Sequence, residues 1–151
     1  MPFRLSKRSM GNLKGIDQRL VNAVRVAIDV TDTDFAVICG LRTEEEQRKL
    51  LAKGVTKTMK SNHLIGNAVD LMAYVGRRGC WEISVYDNIA EAMRQASMMI
   101  DVPIRWGAAW HIDDIREWGG SMEGAMNSYI DLRRSQGRRP FIDAPHFEIG
   151  K

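Results

Sequence analysis

Two segments far apart in the chain constrain its fold more than anything else in it: Ser61-Asn62-His63-Leu64-Ile65-Gly66-Asn67-Ala68-Val69-Asp70 and Asp143-Ala144-Pro145-His146-Phe147-Glu148. Together they hold two imidazoles and several carboxylates in a pattern that suits a catalytic zinc with one position open. Zinc takes neutral His nitrogen at about 2.0–2.1 Å and Asp oxygen at about 2.0–2.2 Å, and a hydrolytic site uses three protein ligands plus water. His63, Asp70 and His146 would supply those ligands, leaving Asp143 or Glu148 as base. His63 and Asp70 are an odd number of residues apart, so on one straight strand they would point to opposite faces. A turn must intervene, and Gly66 is placed to make it. Beyond it, Ala68 to Val75 reads as a strand with Asp70 near its start. After the helix-breaking Pro145, His146 to Ile149 reads as a short strand with His146 and Glu148 on one face.

The remaining pattern alternates helix and strand. Leu20, Val24, Ala27 and Ile28 recur at helical spacing between Ile16 and Val30, and Asp32-Thr33-Asp34 ends that element before a strand from Phe35 to Cys39. Thr43-Glu44-Glu45-Glu46 fits a capping box opening a helix to Lys53, with Gly54 just past its end. Arg42 therefore stands between a strand end and a helix start, a good place for a substrate-facing side chain, although such an arginine more often pairs with a surface acid. A third helix is expected from Asp87 to Ile100, with Ile89, Met93, Ala96 and Ile100 on one face. Its Met93, Met98 and Met99 read as adaptable packing, because soft sulfur ligands suit copper(I) and nothing else suggests copper. Met122, Met126, Tyr129 and Ile130 form the stripe of a last helix ended by Gly137. One α+β domain over residues 1–151 follows, with a small sheet carrying the ligands and helices packed on it.

A chain of 151 residues can bury roughly 68–70% of its unfolded surface, so it needs no structural metal and the zinc can be purely catalytic. The net charge of +3, with basic pairs at Arg77-Arg78, Arg133-Arg134 and Arg138-Arg139, favours anionic partners, nucleic acid and bacterial wall alike. No RRM, zinc-finger or basic-zipper pattern is present, so nucleic-acid binding is not expected. Cys39 is expected as a small core residue and Cys80 as a second free thiol, since no CxxC spacing occurs. Synthesis in a reducing cytoplasm is the simpler reading. Residues Met1 to Arg8 contain no apolar signal core, and no apolar run is long enough to span a membrane.

The pattern Ser61-x-His63-x-x-Gly66-x-Ala68-x-Asp70, with a later Trp106-Gly107 and a terminal His146 preceded by Asp143, resembles the D-Ala-D-Ala carboxypeptidase/VanY family of zinc peptidases. Within that family it is most similar to phage endolysins that cut the L-alanyl-D-glutamate bond of peptidoglycan stem peptides. The resemblance spans Phe3 to the C-terminus. It implies a Hedgehog/DD-peptidase-like fold with a small antiparallel sheet, one zinc ion per chain on His63, Asp70 and His146, and Asp143 as catalytic base. Gly40-Leu41-Arg42-Thr43 with Gln47 matches the family's Gly-x-Arg-Ser/Thr segment, implying that Arg42 faces substrate with Gln47 as helper. Arg105-Trp106-Gly107-Ala108-Ala109-Trp110 is similar to Arg-Trp-Gly-Gly-Asp-Trp, with Ala108 and Ala109 in place of Gly and Asp.

Trp106 and Trp110 are then expected to wall the cleft, Trp81 and Trp118 to pack in the core or at the rim, and Ser61 and Glu148 to support the ligands from behind. His111 falls where the family places no ligand, and a fourth protein ligand would displace the water. Nothing carries over onto residues 111–140. The resemblance further implies a monomeric enzyme made in the host cytoplasm, without a separate wall-binding domain, that reaches peptidoglycan once a holin-type protein has opened the membrane. Three readings compete: a D,D-carboxypeptidase or dipeptidase on the same scaffold, a non-catalytic metal-binding module, and a basic nucleic-acid binder.

Overall fold

A computed structural model of the chain describes residues 3–56 and 58–151. Its strands are β1 (Asp34–Cys39), β2 (Ala68–Val75), β3 (Arg78–Cys80), β4 (Ile104–Trp106) and β5 (His146–Ile149), all in one sheet of order β1-β2-β5-β4 with β3 paired to β2. Every pairing is antiparallel. The last strand thus lies between β2 and β4, and this insertion carries His146 directly opposite Asp70. On the other side of β2, Asp70 is opposite Cys39. Cross-strand partners share a face, so Cys39, Asp70 and His146 form a row across three strands.

Burial on β2 alternates as the pleat requires. Val69, Leu71 and Ala73 are buried, whereas Asp70, Met72 and Tyr74 on the other face are partly exposed. The buried face packs on two helices, α2 (Gln18–Val30) and α4 (Ile83–Ile100), which contribute Leu20, Val24, Ala27, Ile89, Met93 and Ala96 to a single core. Burying each large apolar side chain is worth about 1.5–3 kcal/mol, so the strands that carry Asp70 and His146 rest on a well-anchored support. Helices α1 (Lys7–Asn12), α3 (Glu44–Ala52) and α5 (Met122–Ser135) complete the helical set.

The predicted element order is present, with α1, β3 and two short 3₁₀ turns added. The capping box at Thr43 and Glu46 forms as read, with both reciprocal hydrogen bonds made. Helix α4 begins at Ile83, a turn before the expected Asp87. Its N-cap, Glu82, makes no side-chain capping bond, so the sequence carries no start signal there. Met93 is fully buried and packs as expected, but Met98 and Met99 are exposed and do not serve as packing. Both lie off the stripe that faces the sheet. Trp118 packs against the core, while Trp81 is largely exposed and stacks on Tyr86.

Candidate metal centre

The turn that reconciles His63 with Asp70 is a 3₁₀ segment, Asn62–Ile65, closed by Gly66 at φ +75°. A Cβ on Gly66 would lie 2.4 Å from the Gly15 carbonyl oxygen, so both the backbone angle and the space demand glycine. Ser61 caps the turn, its hydroxyl accepting from the His63 backbone N–H at 3.2 Å. On the opposite side, Gly107 donates to the His146 carbonyl and accepts from the Asp143 N–H, both at 2.8 Å. A Cβ there would meet the Asp143 carbonyl oxygen at 2.2 Å. That contact fixes the loop carrying Asp143 against β4.

Each imidazole is held by its outer nitrogen. His63 Nδ1 lies 2.9 Å from the Gly40 carbonyl oxygen, which can only accept, so Nδ1 carries the hydrogen. His146 Nε2 lies 2.7 Å from Glu148 Oε1 and donates to that carboxylate by the same logic. The inner nitrogens, His63 Nε2 and His146 Nδ1, both face Asp70 Oδ1 at 3.4 Å. Asp70 Oδ1 is buried and makes no hydrogen bond. An acceptor buried against two lone pairs is unfavourable unless a cation stands between them. These donors therefore fit a metal ion, and locking a ligand imidazole from behind by a carbonyl or carboxylate is how such sites set the tautomer. Asp70, Asp143 and His146 offer ligand atoms within 4.8 Å of one another, as do Cys39, His63 and Asp70.

Protonation follows the same field. Burial opposes charge on His63, but the adjoining Asp70 carboxylate and Cys39 thiol outweigh it and raise the imidazole to about 10. Burial likewise opposes charge on His146, and Asp70 with Glu148 raises it to about 9. Asp70 itself, despite its burial, is held far below the usual carboxylate range by the two imidazoles. Without a metal the pocket attracts protons to the positions a cation would neutralise. Asp143 moves the other way: burial first and the Asp70 charge second push its carboxyl up. Its Oδ2 is 3.9 Å from His146 Nδ1, on the open side of the row.

These groups line the floor of a cleft of about 510 Å³. Arg42, Thr56 and Thr58 stand at one end, Arg105, Trp110 and Phe141 at the other. Arg42 is fixed by donating to Gln47 Oε1 at 2.7 Å and to Cys39 Sγ at 3.3 Å, with Asp70 Oδ2 3.9 Å away. Trp110 donates from Nε1 to the Phe141 carbonyl at 3.0 Å and packs its ring 5.2 Å from that of His146.

Three expectations need correction. Trp106 does not wall the cleft: it is fully buried, and its Nε1 donates to the Ala144 carbonyl at 2.7 Å beneath the Asp143 loop. Gln47 is fully buried as well and cannot meet substrate. Its amide bridges Arg42 to the Thr58 carbonyl, at 2.6 Å on the latter side. Cys39 is half-buried beside His63 and Arg42, not in the core. A register shift between Val37 and Cys39 takes Cys39 out of phase with the buried Phe35 and Val37, as a bulge does when it re-aims a side chain beside a site.

Glu148 and Asp143 occupy opposite sides of His146. Ala108 and Ala109 are both fully buried, so the two replaced positions face the core. His111 is exposed, 3.2 Å from Ser128 Oγ, and belongs to neither ligand group found among the described residues. Sequence reading missed Asn62, whose Nδ2 donates to Glu148 Oε2 at 2.8 Å. It also missed Arg105, which donates to the Trp110 carbonyl and lies over that ring at 5.1 Å. Both residues stand inside recognised motifs, and that position was the available signal.

A family model described as phage L-alanyl-D-glutamate peptidase matches residues 1–149. An L-alanyl-D-glutamate peptidase of Escherichia phage T5 is 26% identical over 115 residues, 74% of this chain and 84% of that protein. One of Listeria phage A118 is 24% identical over 106 residues, 68% of this chain but 37% of that protein. Among solved structures, an L-Ala D-Glu endopeptidase of Serratia marcescens superposes with a TM-score of 0.71 at 28% identity, covering 97% of this chain and 90% of that one.

Proposed function

We propose zinc-dependent cleavage of the L-alanyl-D-glutamate bond of peptidoglycan stem peptides for this chain, which belongs to the phage L-alanyl-D-glutamate peptidase family. The observation that carries the metal part is the buried Asp70 Oδ1, unpaired and 3.4 Å from an inner nitrogen of each imidazole. His63 Nε2, Asp70 Oδ1 and His146 Nδ1 would hold the ion. When bound, zinc supplies a Lewis acid that polarises the scissile carbonyl and makes water a nucleophile at neutral pH.

The chain's own residues do the rest. Asp143, raised by burial and by Asp70, takes the proton from the attacking water and returns it to the leaving amine. Arg42 binds a substrate carboxylate or the developing oxyanion, and arrives pre-aimed because Gln47 and Cys39 fix its guanidinium. Trp110 excludes water from one wall of the cleft. Glu148, engaged by His146 and Asn62, orients a ligand and does not move protons.

In this reading the enzyme works as a monomer on the bacterial wall. No helix of the described residues is long and apolar enough to cross a membrane, and a separate holin-type protein provides passage. Mass analysis of purified peptidoglycan digested with and without a chelator tests the reaction. New D-glutamyl amino termini that vanish on chelation are expected. Release of terminal D-alanine would instead indicate a carboxypeptidase.

A further inference from the structure

The segment between β4 and β5, which no motif explains, builds a second pocket of about 410 Å³ beside the cleft. The two share Arg105, Trp110 and Phe141 as a common wall. Helix α5 supplies the far side through Tyr129, Leu132 and Arg133, and His111 comes from the loop after β4. The sheet order sets its direction. Arg42 follows edge strand β1, the ligands sit on or beside β2 and β5, and this pocket lies past β4 at the opposite end. A substrate lying across the strands with an acidic group at Arg42 would extend its other end toward α5.

The lining has two characters. Trp110 and Phe141 stack at 6.2 Å, and His111 and Tyr129 lie 5.6 Å apart, an aromatic lining whose exposed members, Phe141 and His111, can receive the polarised C–H edges of a ring. Around them stand hydrogen-bond donors, Arg105, Arg133 and Gln136, and no carboxylate lines the pocket among the described residues. Arg133 Nε is closed off with no acceptor, so it is the terminal Nη groups of this pocket-lining guanidinium that can meet an acceptor brought by a ligand. A few fixed polar groups beside an apolar face are what a small-molecule subsite needs.

We infer that this pocket is a subsite for the N-acetylated muramyl sugar on the L-alanine side of the scissile bond, its ring lying on the aromatic faces and its acetamido oxygen accepting from Arg133. The inference rests on the peptidase reading above, in which the sugar is joined through its lactyl group to the L-alanine, which stays on the sugar when the D-glutamyl peptide is released. It gives the 111–140 segment a role in choosing wall-derived substrate over free peptide.

Three substrates of one stem peptide, beginning L-alanyl-D-glutamyl, test it: one N-capped by N-acetylmuramic acid, one by acetyl and one by succinyl. The expected result is a kcat/KM for the muramyl peptide roughly tenfold or more above that for the acetyl peptide, the size of one well-placed hydrogen bond to a charged group. Arg133→Ala and Gln136→Ala should each shrink that ratio. Equal rates on muramyl and acetyl peptides, or a ratio untouched by both variants, would overturn the subsite while leaving the peptidase reading intact. A succinyl peptide matching the muramyl one would show that the pocket reads charge, and would overturn the sugar assignment. Cleavage of none of the three would overturn the peptidase reading and the subsite with it.

Discussion

Glu148 Oε1 accepts the Nε2 hydrogen of His146 at 2.7 Å, while Glu148 Oε2 is taken by Asn62 at 2.8 Å. Both oxygens are therefore committed on the side of the imidazole away from Asp70. A carboxylate in this place sets the tautomer and basicity of the imidazole it holds, and behind a metal ligand, as proposed for His146, such partners typically contribute 10–100-fold to metal affinity. Glu148→Gln should weaken zinc retention by about that factor and lower activity at limiting zinc. Excess zinc should restore most of the rate. Zinc titration by a competing chelator, read beside the rate, checks this; a variant binding zinc normally yet inactive would assign Glu148 to proton transfer.

The raised imidazoles predict how stability responds to pH once metal is removed. His63 and His146 stand at about 10 and about 9 in the fold, against about 6.5 for an unfolded histidine. The folded state binds more protons between those limits, so the stabilisation is complete below about pH 6.5 and is lost as pH rises through about 9–10. Chelated protein should melt at progressively lower temperature across that window. Zinc-loaded protein, its imidazoles already neutral, should not show this decline. Because metal and protons compete for the same lone pairs, zinc affinity should also fall as the solution becomes acidic. Melting curves with chelator and with zinc from about pH 6 to 10 test both statements, and a flat profile for the chelated protein would remove the argument.

Gln47 joins Arg42 to the Thr58 carbonyl from a fully buried position. Gln47→Ala leaves that carbonyl without its donor and frees the guanidinium, at a cost of about 1–3 kcal/mol in stability. The catalytic effect should appear mainly through Arg42, as a loss of kcat/KM with zinc content unchanged. Gln47→Glu, which keeps the acceptor facing Arg42 but loses the amide donor, should retain more activity than the alanine variant. Equal kcat/KM for the parent and Gln47→Ala would show that Arg42 needs no such support.

Gly66→Ala should be among the more damaging small substitutions, since it combines a left-handed backbone with a 2.4 Å clash against the Gly15 carbonyl. Strain of this kind costs about 1–3 kcal/mol, and it falls on the turn that aims His63. Loss of zinc at temperatures where the fold persists is the expected signature, measured by metal content across a thermal ramp.

What could be read in advance followed from local rules, and what could not followed from long-range packing. The strand at Ala68–Val75, the capping box before α3 and the turn at Gly66 depend on neighbouring residues, so composition and spacing expose them. Strict alternation puts Cys39 in the core because a bulge is invisible to it: Phe35, Val37 and Cys39 share a phase in sequence but not in the sheet. Gln47 lies on a strongly charged helix beside Glu44, Glu45 and Glu46, and only the segment around Thr58 folding against it explains its burial. The motif places Trp106 at the cleft, yet strand β4 turns it inward to stack on Phe147. The pocket under α5 left no sequence signature, because its residues come from separate elements.

The proposed roles of base and ligand support can be separated at His146 itself. Both carboxylates line the cleft, but Asp143 Oδ2 lies 3.9 Å from the inner nitrogen, whereas Glu148 is bound to the outer nitrogen. An ordinary aspartate near pKa 3.9 is a poor proton shuttle at neutral pH, and the upward push from burial and from Asp70 improves the match. Asp143→Asn keeps the shape of the side chain and removes the basic oxygen. It should retain zinc and lose about 10²–10⁴-fold in rate, while Glu148→Gln should lose zinc first and rate only as a consequence. The pH–rate profile adds a readout that a structural role would not move: the acidic limb of kcat/KM in the parent should be absent from the residual activity of Asp143→Asn. Measuring zinc content and wall lysis for the two variants side by side decides the matter, and Asp143→Asn lysing walls at the parental rate would transfer the base to another residue.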